Sequence, residues 1–355
     1  DFNLGRSHIL SNAVQAAQRK KPAERSEQDN EIIKVDERFN ILYQALTGNY
    51  LKVFPQPTAE DNMWFNSQFQ NAGFEPEDSV FVRNILSVYY QDIASGQATG
   101  DWTDAEEKLS YIRTFQQTMG ADIMPAQNQV DAELLYNQLN IFNRLFPIYW
   151  LLGIYLLVVA LLRVFFQKAA LKVALLIGVG LTGLAFLAQT GNMILRWYAG
   201  GYPPWSNGYE MIILVAWALF LFGFIFHRKS DFILPLVALF GGTLLFVSYL
   251  DWLNPEITNL VPVLKSYWLK IHVAIIVSSY APLALSALLG LISLVFMITR
   301  NDRFNKPILE LTYINELSMT IGVFMLSIGT FLGGVWANES WGRYWGWDPK
   351  ETWAL

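Results

Sequence analysis

The chain has 355 residues, 53% of them hydrophobic, with 25 basic and 30 acidic side chains and no cysteine. Without cysteine it forms no disulfide, offers no thiolate to a metal and runs no thiol relay of its own. Residues 1–145 carry 12 basic and 20 acidic side chains, residues 146–355 carry 13 and 10, and in neither half do the cations form an aromatic-interleaved patch, which excludes a nucleic-acid partner.

The start at Asp1, with neither methionine nor a basic-then-apolar leader, reads as a processed or incomplete product. His8, in Arg6-Ser7-His8-Ile9, reads as a surface residue, and the polar segment from Gln15 to Asn30 as a connector without core positions. From Glu31 to Asn143 apolar residues recur at helical spacing, as in Ile32, Val35, Phe39, Leu42, Leu46 and again in Leu109, Ile112, Phe115, Met119. Turn formers such as Phe54-Pro55-Gln56-Pro57 and Ser95-Gly96 divide this stretch, and Thr103 with Glu106 offers a capping box. The expectation is four or five helices forming a small α domain over residues 1–145.

Beyond Phe146 six apolar runs of membrane-spanning length follow, at about 147–166, 171–190, 209–226, 232–250, 271–298 and 317–336. The predicted fold is all-α, a polytopic membrane helix bundle behind the small helical domain. Arg163, Lys168 and Lys172, then Arg228 and Lys229, then Arg300, Arg303 and Lys306 fall in alternate loops, so those loops are expected on the cytoplasmic side. Residues 1–145, the loop from Tyr198 to Tyr209, the loop from Asp251 to Lys270 and the segment after the sixth run then share the outer side. Gly241-Gly242 inside the fourth run predicts close helix packing. Glu316 reads as a cap for the sixth span after Asn315.

Two of the three histidines belong to this half. His227, beside Arg228 and Lys229, reads as an interfacial residue at the inner rim. His272 opens the fifth span at the outer rim, where an ionisable side chain is a functional candidate. Its imidazole either bonds between helices or ligates a metal. The two lie at opposite leaflets, about 30 Å apart across the hydrocarbon, so they cannot clamp one haem as a b-type cytochrome requires.

The loop Trp197 to Glu210 is dense in aromatics; Ser206 and Asn207 are helix-start residues, and Arg196 and Glu210 make it a candidate site wall. After the sixth span comes the densest aromatic segment, with Trp336, Trp341, Trp345, Trp347 and Trp353 inside eighteen residues, together with Arg343, Tyr344 and Lys350. Flat indoles beside cations form a platform for a planar, apolar, anionic ligand, and a porphyrin fits that description. These neighbours favour iron ligation by His272. Asp348, Pro349 and Glu351 then open a further helix, the start of a seventh span expected to continue beyond Leu355. No phosphate loop, nucleophile triad or carboxylate pair appears, which leaves hydrolase and ATPase readings without support.

The string Trp336-Ala-Asn-Glu-x-Trp341-Gly-x-Tyr344-Trp345-x-Trp347-Asp348-Pro-Lys-Glu-Thr-Trp353 closely resembles the tryptophan-rich "WWD" signature of the CcsA (ResC) cytochrome c biogenesis proteins. Ser266-Tyr-Trp268-Leu-x-x-His272 and the Pro-x-Ser-Asn-x-Tyr-Glu pattern from Pro204 to Glu210 resemble the same family in the same order. The resemblance implies a multi-pass protein of the bacterial inner membrane, with residues 1–145 and the tryptophan segment on the periplasmic face. It implies work with a CcsB (ResB) protein or fused domain, with thiol-reducing partner proteins and with membrane lipid. Together these form a haem lyase that presents haem b for thioether attachment to the Cys-x-x-Cys-His motif of apocytochrome c.

The site carried over by resemblance has His272 as iron ligand and catalytic residue. Its haem contacts are Trp336, Trp341, Arg343, Tyr344, Trp345, Trp347, Asp348, Lys350, Trp353, Trp205, Asn207 and Glu210. The family's second external histidine has no match here and is expected beyond Leu355. A further histidine that some relatives carry near the Pro-x-Ser-Asn loop is replaced by the Gly201-Tyr202 region. Residues 1–145 would be the extracytoplasmic part of a CcsB–CcsA fusion, and 146–355 the haem-handling domain. Two rival readings are a haem or lipid-intermediate transporter without ligation chemistry, and a structural assembly protein whose aromatics are a membrane belt.

Overall fold

The computed structural model describes residues 11–21, 24–46, 48–56, 63–68, 73–250, 252–258, 260, 266–347 and 352. Its contacts divide the chain into two compact units, Asp1–Pro125 and Ala126–Leu355.

In the first unit the helices are α1 (Ser11–Arg19), α2 (Glu27–Leu46), α3 (Pro76–Thr99) and α4 (Thr103–Met119), with a two-residue antiparallel pair of β1 (Phe54–Pro55) and β2 (Trp64–Phe65). Phe54, Val82, Ile85, Leu86 and Ile112 form its core, where Phe81 and Phe115 stack at 5.0 Å. Two local expectations fail. The Thr103–Glu106 box does not form, Trp102 being the N-cap of α4 without a side-chain bond: Asp101 Oδ1 accepts the Thr103 N–H at 3.1 Å and the hydroxyl at 2.6 Å, and the Glu106 N–H is bonded to the Trp102 carbonyl. The apolar stripe of α2 stays largely exposed in its second half: Phe39 is 43% exposed and Leu46 67%.

The second unit begins with α5 (Gln127–Leu139), so the compact units divide twenty residues before the composition changes. Asn140, at φ 44°, breaks α5 from α6 (Ile141–Phe165). Then come α7 (Ala169–Gly200), α8 (Gly208–Phe226), α9 (Ile233–Tyr249), α10 (Tyr267–Thr299) and α11 (Asn305–Trp341). They coincide with the six apolar runs. Among the described residues five stretches are long and apolar enough to cross a membrane, α5 being counted with α6, and α9, with 17 residues, is the shorter one. The chain is an all-α, polytopic membrane helix bundle. The start of a seventh span lies, except for Thr352, outside the described residues.

Burial ranks the helices. α8 buries 56% of its apolar window whereas α7 and α11 bury 17%, so α8 is central and the other two turn most of their apolar surface outward, as lipid-facing helices do. Tyr149 of α6 stacks on Phe220 of α8 at 4.1 Å and donates its hydroxyl to Gln189 Oε1 of α7 at 2.9 Å. The Gly241-Gly242 pair allows the expected close approach: a Cβ at Gly241 would lie 2.6 Å from the Phe220 ring, and one at Gly242 3.1 Å from the Phe146 carbonyl.

The sixth membrane helix starts earlier than its apolar run. Asn301 accepts the Arg303 N–H at 3.1 Å and a short 3-10 turn, Asp302–Phe304, leads directly into α11. Glu316 is therefore a mid-helix residue, not a cap, and Asn315 accepts a hydrogen bond from the Ser286 hydroxyl of α10. The three basic connections meet at one end of the bundle: Arg163 pairs with Asp231, and the Arg303 guanidinium lies 5.4 Å from the Phe165 ring. The 201–207 loop and the 250–266 connection meet at the other end, where the Tyr202 hydroxyl donates to the Thr258 carbonyl at 2.8 Å.

Candidate functional site

α10 and α11 form the most extensive helix pair of the bundle, and their seam ends at His272. A Cβ built on Gly322 would lie 2.6 Å from Leu283; one on Gly329 would strike Ile276 and sit 3.2 Å from its backbone nitrogen; one on Gly333 would lie 2.7 Å from His272 Nδ1. Gly290 meets Asn315 in the same way. In every pair the two residue numbers add to the same value, as an antiparallel register requires. The missing side chains let the helix backbones approach, and at the last position the imidazole occupies the gap. Gly329-x-x-x-Gly333 is a small-xxx-small pattern that the reading of the aromatic segment passed over.

This packing determines the state of His272. Its Nδ1 lies 2.7 Å from the Gly329 carbonyl oxygen. A carbonyl only accepts, so Nδ1 carries a proton, and in the neutral ring Nε2 is the nitrogen with the lone pair. Nε2 makes no hydrogen bond among the described residues. A ring N–H held by a backbone carbonyl with the other nitrogen free is how proteins orient metal-ligating histidines.

One indole lies beside it and a second packs on the first. Trp336 lies parallel to the imidazole, 13° between planes and 6.5 Å between centroids, and Trp341 meets Trp336 edge-on at 4.7 Å and 64°. Gly342, at φ +69°, ends α11 and turns the chain back, so that the Tyr344 carbonyl comes 3.3 Å from where a Cβ at Gly334 would be. Trp345 and Trp347 then pack edge-on at 6.0 Å. The indole N–H groups of Trp336 and Trp345 are both buried without a hydrogen-bond partner among the described residues, two candidate donors to an anionic oxygen. Arg343 and Tyr344 are exposed. Asp348, Lys350 and Trp353, three of the sequence-predicted contacts, lie outside the described residues, as does His8. His227 donates from Nδ1 to the Phe224 carbonyl of its own helix at 2.6 Å, at the basic end of the bundle.

Trp205, Asn207 and Glu210 serve the frame. Trp205 Nε1 donates to the Lys270 carbonyl at 3.0 Å, tying the 201–207 loop to the first turn of α10 two residues before His272. Asn207 is the N-cap of α8, its Oδ1 accepting the Glu210 N–H at 2.9 Å. Glu210 reaches back to the Ser206 N–H at 2.8 Å and hydroxyl at 2.7 Å, and its other oxygen accepts from Arg196 Nε at 2.9 Å, both side chains being buried. Arg196 also donates to the Tyr136 hydroxyl at 3.0 Å and to the carbonyls of Pro255 at 2.8 Å and Glu256 at 3.2 Å, lying between the rings of Tyr136 and Tyr209. One guanidinium thus joins α5, α7, α8 and the 250–266 connection. Sequence placed Arg196 and Glu210 near a site wall; their mutual pairing, and Tyr136, appear only in three dimensions. Asn207→Ala should cost about 1 kcal/mol of stability, the usual value of an N-cap, read as a lower unfolding midpoint in detergent. An unchanged midpoint would mean that Ser206 takes over the cap.

The comparisons with known proteins fall on these elements. The cytochrome c assembly protein family matches residues 205–355, from Trp205 through the seam to the tryptophan segment. The chain is 33% identical over 244 residues to the cytochrome c biogenesis protein CcsA of Guillardia theta, covering 61% of this chain and 80% of that protein. The chain belongs to the CcsA family of cytochrome c biogenesis proteins. CcsA of Prochlorococcus marinus strain MIT 9303 is 32% identical over 49% of this chain and 66% of its own length. Protein NrfI of Wolinella succinogenes is 36% identical over 99% of this chain, which spans 39% of NrfI. The NrfI match includes the first unit, which the family match from residue 205 does not reach. Within this CcsA-type chain the family match covers α8 to α11 and the segment behind them, the elements that carry His272.

Proposed function

We propose that this chain binds haem b as cargo at the bundle end bearing His272 and presents it for thioether attachment to the Cys-x-x-Cys-His motif of apocytochrome c, as the membrane part of a haem lyase. The observation that carries this reading is the orientation of His272: Nδ1–H bonded to Gly329, Nε2 without a hydrogen bond among the described residues, and Trp336 parallel to the ring. His272 would hold the iron through Nε2. Trp336, nearly parallel to the imidazole, would buttress that ligand, and Trp341, packed on Trp336, would offer the macrocycle an apolar indole surface. The unpartnered N–H groups of Trp336 and Trp345, with Arg343, are the candidate donors to the propionates.

Attachment adds each thiol S–H across a vinyl C=C, which consumes no oxidant or reductant. The contribution of this chain is to hold the macrocycle so that its vinyl edge meets the thiols. Its own lack of cysteine prevents attachment to itself. A CcsB-like protein or fused domain, apocytochrome c and thiol-reducing proteins are the proposed partners. Alternating basic loops support a bacterial inner-membrane topology with the His272 end and residues 1–145 periplasmic. Asp348, Lys350 and Trp353 remain proposed contacts, and the arrangement of Asn207 and Glu210 supports a framing role for them.

The test is the reduced-minus-oxidised visible spectrum of the full-length protein purified in detergent, beside His272→Ala. A haem spectrum that weakens or shifts in the variant is expected. A haem-replete preparation without a haem spectrum, or one identical in the variant, would sink the assignment.

A further inference from the structure

At the bundle end opposite His272 a cavity of about 570 Å³ opens between α6, α7, α9 and α11. About 42 Å of helix separates the two, the rise of α10 from His272 to Arg300 at 1.5 Å per residue. Five cations line it, Arg163, Lys168, Lys172, Arg303 and Lys306, against two carboxylates, Asp231 and Glu310. Arg163 is paired with Asp231. Lys306 and Glu310 are 3.9 Å apart with Lys306 87% exposed, a weak surface pair. Lys168, Lys172 and Arg303 have no carboxylate within ion-pair distance among the described residues. Cations therefore outnumber carboxylates five to two around one recess, and these three are not ion-paired with either.

The deeper wall is apolar, with Ala160, Val164, Phe232 and Pro307, while the hydroxyl of Ser230 and the amide of Gln167 stand among the cations. No histidine lines it, so it is not a second iron site. It lies where four membrane helices begin or end, the level at which a lipid headgroup sits. A ligand that matches has an anionic, oxygen-rich head and an apolar body. We propose that this cavity binds the phosphate headgroup of an anionic phospholipid, with Lys168, Lys172 and Arg303 as its counter-charges. The site is independent of the haem reading, since it shares no residue with it.

The test uses delipidated full-length protein in neutral detergent, titrated with short-chain phosphatidylglycerol or phosphatidylcholine and followed by native mass spectrometry. Phosphatidylglycerol is expected to be retained at least tenfold more tightly than phosphatidylcholine, because each cation near a headgroup contributes about fivefold. The Lys168→Gln, Lys172→Gln, Arg303→Gln triple variant should lose that preference, while Arg228→Gln with Lys229→Gln, exposed cations of the α8–α9 connection that do not line the cavity, should keep it. If the triple variant fails to fold, each single variant should bind about fivefold more weakly. Equal retention of both lipids, or a preference that survives the cavity substitutions, overturns the proposal. Inorganic phosphate abolishing the phosphatidylglycerol adduct at equal concentration would show a free-anion site and overturn the lipid assignment.

Discussion

Arg196→Met is expected to destabilise the second unit by about 3–5 kcal/mol, the usual result of removing one member of a buried ion pair. Methionine keeps much of the arginine volume, so the loss is not chiefly one of packing. It leaves the Glu210 carboxylate in a buried position with only Ser206 as donor, and strips a donor from the Tyr136 hydroxyl and from the Pro255 and Glu256 carbonyls. Adding Glu210→Gln should recover part of the loss, because an amide is far cheaper to bury unpaired than a carboxylate. Unfolding midpoints of the purified protein in detergent measure both. A loss under about 1 kcal/mol for the single variant would mean that water already reaches this pair. The same variant should free the 250–266 connection from α7, since two of its carbonyls are held by that guanidinium.

Gly333→Ala is expected to lower haem occupancy about 10–100-fold, the range found when an orienting partner of a ligating histidine is removed, with helix content unchanged. The added Cβ would lie 2.7 Å from His272 Nδ1 and 3.1 Å from Nε2. All three of its nearest atoms belong to one movable ring, so the ring swings aside and its bond to the Gly329 carbonyl breaks. Gly329→Ala makes the opposite prediction. There the Cβ would strike Ile276 Cγ1 with the Ile276 backbone close behind at 3.2 Å, and the helix pair should lose about 1–3 kcal/mol as an overpacked core does. Comparing haem spectra and unfolding midpoints of the two separates ligand positioning from helix packing. Equal haem spectra in wild type and Gly333→Ala would remove the glycine from the site, whereas equal damage to stability in both variants would make the seam purely structural.

Much of this was legible in one dimension because membrane helices write themselves as long apolar runs, and all six runs coincide with helices. Helix ends were less legible. α11 starts at Asn305 although its apolar run starts near residue 317, because the Asn301 turn can launch a helix through polar residues such as Lys306 and Glu310 at the bilayer edge. The Thr103–Glu106 box does not form because Thr103 lies on the helix itself and its hydroxyl donates to Asp101. His272 and the tryptophans stood out by residue type alone. The glycines did not, because a glycine announces close approach without naming what approaches.

From the sequence alone came the class of the protein, an all-α membrane bundle, the grouping of its basic loops at one end, and the aromatic segment that marks the candidate site. These depend on hydropathy, charge and composition, which are properties of neighbouring residues. Tertiary structure decided which nitrogen of His272 is free, since that depends on a carbonyl 57 residues away. It also decided that Trp336 lies parallel to the imidazole, that Glu210 is held by Arg196, and that unpaired cations from α7 and the turn before α11 share one cavity. Each of these is a meeting of side chains from different helices, and only the packing of those helices sets where they meet.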